Sequence, residues 1–242
     1  VATVEFYHPA HNSLPADVLR QLADAIAAAG DDEQSRVIVL RSAGRRTFCA
    51  GASFDELLAI TLSADADAGA KFFAGFARVI NAMRACDKFI IARAHGKAVG
   101  GGVGLAAAAD YALAHCSAAV KLSELSIGLG PFVVGPAVAR KIGTSAFSQL
   151  AIDAETFYPA EWARDKGLYA QVFDSVAALD AAVQELASRL ARYPPDAMRE
   201  LKRAFWQDAG DWDALLTQRA AMSGRLATSD FTRDAVQGIK RK

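Results

Sequence analysis

The chain has 242 residues, 27 Lys plus Arg against 27 Asp plus Glu, and an apolar content of 52%. That length buries a substantial core and fits one domain, or one domain with an appended subdomain. The even charge excludes the basic footprint of a nucleic-acid binder, and no apolar run approaches the roughly 20 residues that span a bilayer. The opening Val-Ala-Thr-Val-Glu-Phe lacks the pattern of a secretion signal, while the absence of an initiator Met leaves room for a preceding segment.

Ala2 to Tyr7 alternates as a short strand, and a periodic helix is expected from Pro15 to about Ala29, closed by Gly30. Arg36 to Arg41 is a nearly continuous apolar run, the pattern of a buried parallel strand. A loop of small residues, Ser42 to Ser53, then leads into a helix beginning at Phe54. Thr61 to Gly69 carries few apolar anchors and is expected to be mobile. Ala70 to Cys86 has Phe72, Phe73, Phe76, Val79, Ile80 and Met83 at helical spacing, a stripe that reads as core rather than ligand box. Phe89 to Arg93 is the next strand, followed by the three glycines Gly100 to Gly102, by Gly104 and by an alanine-rich helix. Short strands follow at Tyr111 to His115 and Ala119 to Leu122, with Ser123 and Glu124 opening the next loop. Helices at Val133 to Ile142 and Thr144 to Ile152 flank Gly143; a short helix reaches Gly167, and Leu168 to Phe173 is the last strand. The remainder is helical, broken at Pro194 and Pro195, and its Phe205, Trp206 and Trp212 suggest packing against another subunit or back over the core.

Two strands thus each end in a glycine-bearing loop and a helix start, where backbone N–H groups lack acceptors and the helix dipole favours negative charge. The ligand at such a turn is a phosphate or a carbonyl oxygen that becomes an oxyanion, unless the glycines only let a helix pack on a sheet. Counting from Gly100, the sixth place of a dinucleotide fingerprint falls on Leu105, and no Gly-Lys-Ser or Gly-Lys-Thr follows, so neither phosphate motif fits. Cys49, Cys86 and Cys116 are odd in number and scattered, which suits a reducing compartment and a cytoplasmic location. Neither they nor His8, His11, His95 and His115 have metal-site spacing, so no protein-bound metal is expected.

Three motifs in order then resemble the crotonase superfamily of enoyl-CoA hydratases and isomerases. Arg46-Thr-Phe-Cys-Ala-Gly-Ala-Ser53 is similar to the first oxyanion loop of that family, and His95 to Asp110 is similar to the second. Leu122-Ser-Glu-Leu-Ser-Ile-Gly-Leu-Gly-Pro131 resembles the segment that supplies a catalytic glutamate. The resemblance implies an α/β fold, a crotonase-like spiral of ββα units over residues 1–194, with a C-terminal helical trimerisation region over residues 195–242 belonging to the same functional unit. It also implies a homotrimer or dimer of trimers. By the same resemblance, Ala52 and Gly101 supply the two N–H donors to the thioester oxygen of an acyl-CoA, and Glu124 is the acid and base. Arg46, Ala50, Gly51 and Gly100 are then expected at the CoA moiety or substrate, with Ala50 at the adenine and Arg46 near the phosphates. No cofactor is implied beyond coenzyme A, which enters as part of the substrate.

One departure matters. Two-glutamate hydratases carry an acid where this chain has Gly104, so only Glu124 remains of the pair. A single carboxylate suits syn hydration of a 2-enoyl-CoA, in which the water's proton is passed to C2, and equally a 1,3 proton shift in a 3-enoyl-CoA. The pattern around Glu124 and the glycines is similar to single-glutamate, methylglutaconyl-type hydratases, which favours hydration. A non-catalytic acyl-CoA-binding protein is the competing reading from another class. Cys49 reads as packing and Asp110 as a helix anchor; the acyl pocket is expected to be lined by Thr61 to Gly69 and Phe132 to Gly135.

Overall fold

Two parallel sheets are built by one repeated winding of the chain, seen in a computed structural model that describes residues 1–240. Strand β1 (Ala2–Phe6) and helix α1 (Ala16–Asp31) lead to β2 (Val37–Ser42), β3 (Thr47–Cys49), α2 (Phe54–Ser63) and α3 (Ala66–Ala85). The next winding gives β4 (Phe89–Ala94), β5 (Lys97–Val99) and α4 (Gly101–Ala108). A further one gives β6 (Tyr111–His115), β7 (Val120–Lys121), a 3₁₀ turn over Glu124–Ile127 and α5 (Gly135–Ile152). The chain closes with α6 (Ala160–Asp165), β8 (Gln171–Phe173), α7 (Val176–Leu190), α8 (Pro195–Phe205), α9 (Trp212–Ala227) and α10 (Asp230–Lys240). The larger sheet runs β1-β2-β4-β6-β8 and the smaller one β3-β5-β7. This is the expected spiral of ββα units.

The apolar runs explain the larger sheet. Val37, Val39, Ile91 and Leu113 face Leu179, Val183 and Ala187 of α7, while Ile38, Leu40, Ile90 and Ala92 face the main core. Strand residues alternate sides, so a strand covered on both faces must be apolar at every position. The register sets Val39 beside Ile91 and Ala92 beside Ala112. Helix α4 is buried along its whole length, and its small residues allow this: a Cβ on Gly102 would fall 2.5 Å from the Cys49 carbonyl oxygen.

Several expectations need correction. Helix α1 continues through Gly30 to Asp31, where Asp32 N–H still reaches Ala28 O at 3.1 Å. Thr61 to Gly69 is not a loose segment, because α2 holds Thr61 buried and Asp65 caps α3 by accepting from the N–H groups of Asp67 and Ala68, each at 2.9 Å. Gly69 then touches α9, where a Cβ would meet Gly224 Cα at 2.8 Å. The last strand starts at Gln171, since the N–H groups of Leu168 and Tyr169 turn to Ala163 O at the end of α6. Gly143, at φ +77°, interrupts α5 as the sequence suggests.

The C-terminal helices fold back over the core of their own chain. Lys202 of α8 is buried against Asp110, with Nζ 3.0 Å from Oδ2, and donates to the carbonyls of Met83 (2.9 Å) and Lys88 (2.7 Å). Asp110 also accepts from Ile90 N–H at 2.8 Å and from Trp206 Nε1 at 3.3 Å. It is the anchor of a helix junction, and Trp206 and Trp212 pack edge to face beside it, 5.4 Å apart. No helix among the described residues is long and apolar enough to cross a membrane.

Candidate active site

The three motifs meet at one cavity of about 60 Å³. Its walls include Ala50, Gly51 and Ala52 from the loop after β3, Gly100 and Gly101 from the turn after β5, and Glu124 from the 3₁₀ turn after β7. Because β3, β5 and β7 are neighbours in the smaller sheet, residues far apart in sequence leave that sheet from one end side by side. The contacts are close: a Cβ on Gly51 would lie 2.9 Å from Val99 O and 3.4 Å from Gly101 N, and one on Gly100 would lie 2.9 Å from Glu124 Oε1. Gly51 at φ +85° and Gly100 at φ +51° occupy backbone conformations that glycine adopts without a Cβ penalty.

Around Ala52 the neighbouring polar groups are used. Leu14 N–H donates to Gly51 O at 2.7 Å, and Ser53 N–H donates to Leu14 O at 3.2 Å. The Ala52 N–H between them has no backbone acceptor among the described residues, nor does the Gly101 N–H at the first position of α4. Two unused donors therefore border the cavity on adjoining loops, which is the equipment for holding a developing oxyanion.

Among the described residues, Glu124 is the only ionisable side chain in the cavity wall. Its Oε2 is buried without a hydrogen-bond partner, and burial pushes the carboxyl from its ordinary 4.5 up to about 7, opposed in part by a backbone hydrogen bond. A carboxyl poised there exchanges a proton readily at neutral pH. The rest of the wall is apolar apart from Ser123 and Ser223.

The place of the missing second acid is filled. A Cβ on Gly104 would sit 2.5 Å from Val134 Cγ1, so Val134 occupies the space that a longer side chain at Gly104 would need. Cys49 is buried and its thiol is pushed up to about 12 by desolvation, so it is packing and no thiolate. Arg46 is exposed and lines a different groove with His8, His11 and Arg45, outside the Glu124 cavity. Of the two segments expected at the acyl chain, Phe132, Val133 and Val134 line this cavity, while Gly135 and Thr61 to Gly69 do not. Two contributions went unread in the sequence. Phe73 and Phe76 line the cavity as well as filling the core, and Ser223 reaches it from α9. The signal for Ser223 was the α9 face Leu216, Ala220 and Ser223, spaced for one buried stripe.

The family model for "Enoyl-CoA hydratase/isomerase" matches residues 1–241. Among curated proteins, the 2,3-dehydroadipyl-CoA hydratase of Escherichia coli (strain K12) is 32% identical over 235 residues, covering 96% of this chain and 89% of that relative. The mitochondrial methylglutaconyl-CoA hydratase of Homo sapiens is 31% identical, over 94% of this chain and 66% of that protein. A solved enoyl-CoA hydratase from Mycobacterium avium superposes with a TM-score of 0.86 at 26% identity, covering 99% of this chain and 90% of that one. One from Bacillus halodurans reaches a TM-score of 0.90 at 19% identity, covering 98% and 95%, a likeness of fold.

Proposed function

The chain belongs to the enoyl-CoA hydratase/isomerase family, and from that premise we propose that it hydrates a 2-enoyl-CoA to the 3-hydroxyacyl-CoA, with Glu124 as the single acid and base. The observation that carries this reading is the lone buried carboxylate beside two unused backbone donors in one apolar cavity. The thioester oxygen accepts from the N–H groups of Ala52 and Gly101. Ionised Glu124 takes a proton from water as its oxygen bonds to C3. The negative charge that develops on the thioester is held by the two donors, a stabilisation of several kcal/mol in a dry site. Protonated Glu124 then returns the proton to C2 on the same face, which regenerates the carboxylate. Gly51 and Gly100 border the bound thioester, the backbone at Ala50 accepts from the adenine amino group, and Arg46 meets the CoA phosphates from its exposed loop. The relatives named as hydratases of dehydroadipyl-CoA and methylglutaconyl-CoA support water addition as the reaction.

One observation favours a second reading. With Val134 filling the space at Gly104, a single base is all the cavity offers, and a 1,3 proton shift from C2 to C4 of a 3-enoyl-CoA needs no more. Following the conjugated-thioester absorbance separates the two. Loss with a 2-enoyl-CoA is the expected result, whereas gain with a 3-enoyl-CoA and no change with the 2-enoyl-CoA would establish the isomerase instead.

A further inference from the structure

A second cavity of about 370 Å³ adjoins the first and shares Pro131 and Phe132 with it. Its walls are otherwise apolar, including Gly135 and Phe147, with one exception: Arg219 of α9. The Arg219 Nε is buried with no hydrogen-bond partner, and the guanidinium has no ion pair among the described residues. The residue is partly buried, and a cation facing an apolar wall with no counter-charge beside it is a ready partner for an anion. Ser223, on the same face of α9 and about 6 Å along the axis, lines the first cavity. The same helix therefore presents a hydroxyl to the space beside Glu124 and an unpaired guanidinium to the space beyond Phe132.

We propose that Arg219 receives a carboxylate at the far end of the acyl chain, so that the preferred substrate is an enoyl-CoA of a dicarboxylic acid. This rests on the acyl-CoA reading of the Glu124 cavity and names its substrate class. The apolar walls take the methylene chain, and Phe132, whose ring lies against Gly130 where a Cβ would come within 2.5 Å of it, stands between the two cavities at the point the chain passes. A planar guanidinium matches a carboxylate with two parallel hydrogen bonds, and an apolar surround strengthens them. An acyl chain ending in a methyl group would leave the cation unpaired.

The test compares a six-carbon 2-enoyl-CoA ending in carboxylate with 2-hexenoyl-CoA, in the wild type, Arg219→Met and Arg219→Lys. The wild type is expected to favour the carboxylated substrate in kcat/KM. Arg219→Met is expected to lower that preference by about 30- to 100-fold, the worth of a hydrogen-bonded charge pair, and Arg219→Lys to restore part of it. Calorimetry with the saturated pair, hexanedioyl-CoA and hexanoyl-CoA, reads the same preference without turnover. A preference in binding that Arg219→Met abolishes, with no hydration of either enoyl-CoA, would leave this assignment standing and remove the hydratase reading. Equal binding of the two by the wild type would overturn the assignment while leaving hydration intact. Parallel loss of both ligands with a change in oligomeric mass would also overturn it, by making Arg219 a contact between copies of the chain.

Discussion

Glu124 and Asp110 are both acidic side chains drawn into the interior, and the fold treats them in opposite ways. Asp110 is saturated: a lysine ammonium, a backbone N–H and an indole N–H all converge on it. Glu124 keeps one oxygen with no partner, faces open volume, and has its carboxyl pushed up to about 7. The difference separates a buried charge that holds helices together from one kept available for a proton. Asp110 stands between α4 and β6 and Glu124 just after β7, both beside short strands of the same spiral, so nearness to a strand alone does not distinguish them. Satisfaction of their oxygens does.

Glu124→Gln breaks the comparison hardest. Removing the only acid and base is expected to lower kcat by about 10⁴-fold, read from the conjugated-thioester absorbance. In the wild type, kcat/KM should rise with pH and level off above about 7 as the carboxylate forms. Stability moves the other way. A carboxyl whose folded value lies above its ordinary 4.5 binds its proton more tightly when folded, so its contribution is full below about 4.5 and is lost as pH rises through about 7. Glutamine stays neutral, so the variant should gain on the wild type at pH 8 and gain nothing at pH 4. The gain is on the order of 3 kcal/mol, from 1.36 kcal/mol per pH unit, and the partial solvent access of the residue makes that an upper bound. Thermal melts across that range test it, and a constant difference at every pH would remove Glu124 from the role of poised carboxyl.

Lys202→Met sharpens the other half. It leaves Asp110 buried with its cation gone, and the expected cost is about 3–5 kcal/mol of stability, measured by chemical denaturation. Activity per folded molecule should stay within a few-fold, because none of the groups around Asp110 lines the Glu124 cavity. Adding Asp110→Asn should recover part of the loss, since the uncompensated charge then disappears. A large fall in kcat with little loss of stability would place the Asp110 junction in the chemistry.

The same contrast explains what the sequence disclosed. The glycine-bearing loops and the apolar strands were legible because each follows from local chemistry: a left-handed or crowded backbone at Gly51 and Gly100, and two covered faces at Val37 to Leu40; Glu124 was singled out only through the resemblance of its flanking motif to a known family. Features that need a distant partner were not. Thr61 to Gly69 looks loose until Gly224 is brought against Gly69, and Asp110 looks like a plain helix anchor until α8 supplies Lys202. That Gly104 lacks an acid was plain from its identity, but that Val134 fills the vacated space required the fold. Arg219 lies between Leu216 and Ala220, both buried, and an arginine beside such a stripe was the available signal for a partly buried, unpaired cation.

Arg46 supplies the exposed limit of the comparison and the smallest expected effect. Its side chain is open to solvent in a groove apart from the Glu124 cavity, so a pairing with a CoA phosphate would be formed in water rather than in a low-dielectric interior. Exposed ion pairs contribute about 0.2–1 kcal/mol, which sets the expected rise in KM for Arg46→Ala at about fivefold or less, with kcat unchanged. Salt discriminates this from a packing effect. The screening length falls from about 10 Å at 0.1 M to about 3 Å at 1 M, so the gap in KM between wild type and variant should close as salt is raised. A gap that persists at 1 M, or a variant with lowered kcat, would mean that Arg46 acts by holding the loop between β2 and β3 rather than by meeting phosphate. The backbone already shows where that alternative would originate, since Arg46 O accepts from Lys97 N–H at 3.4 Å and lies where a Cβ on Gly96 would come within 2.3 Å.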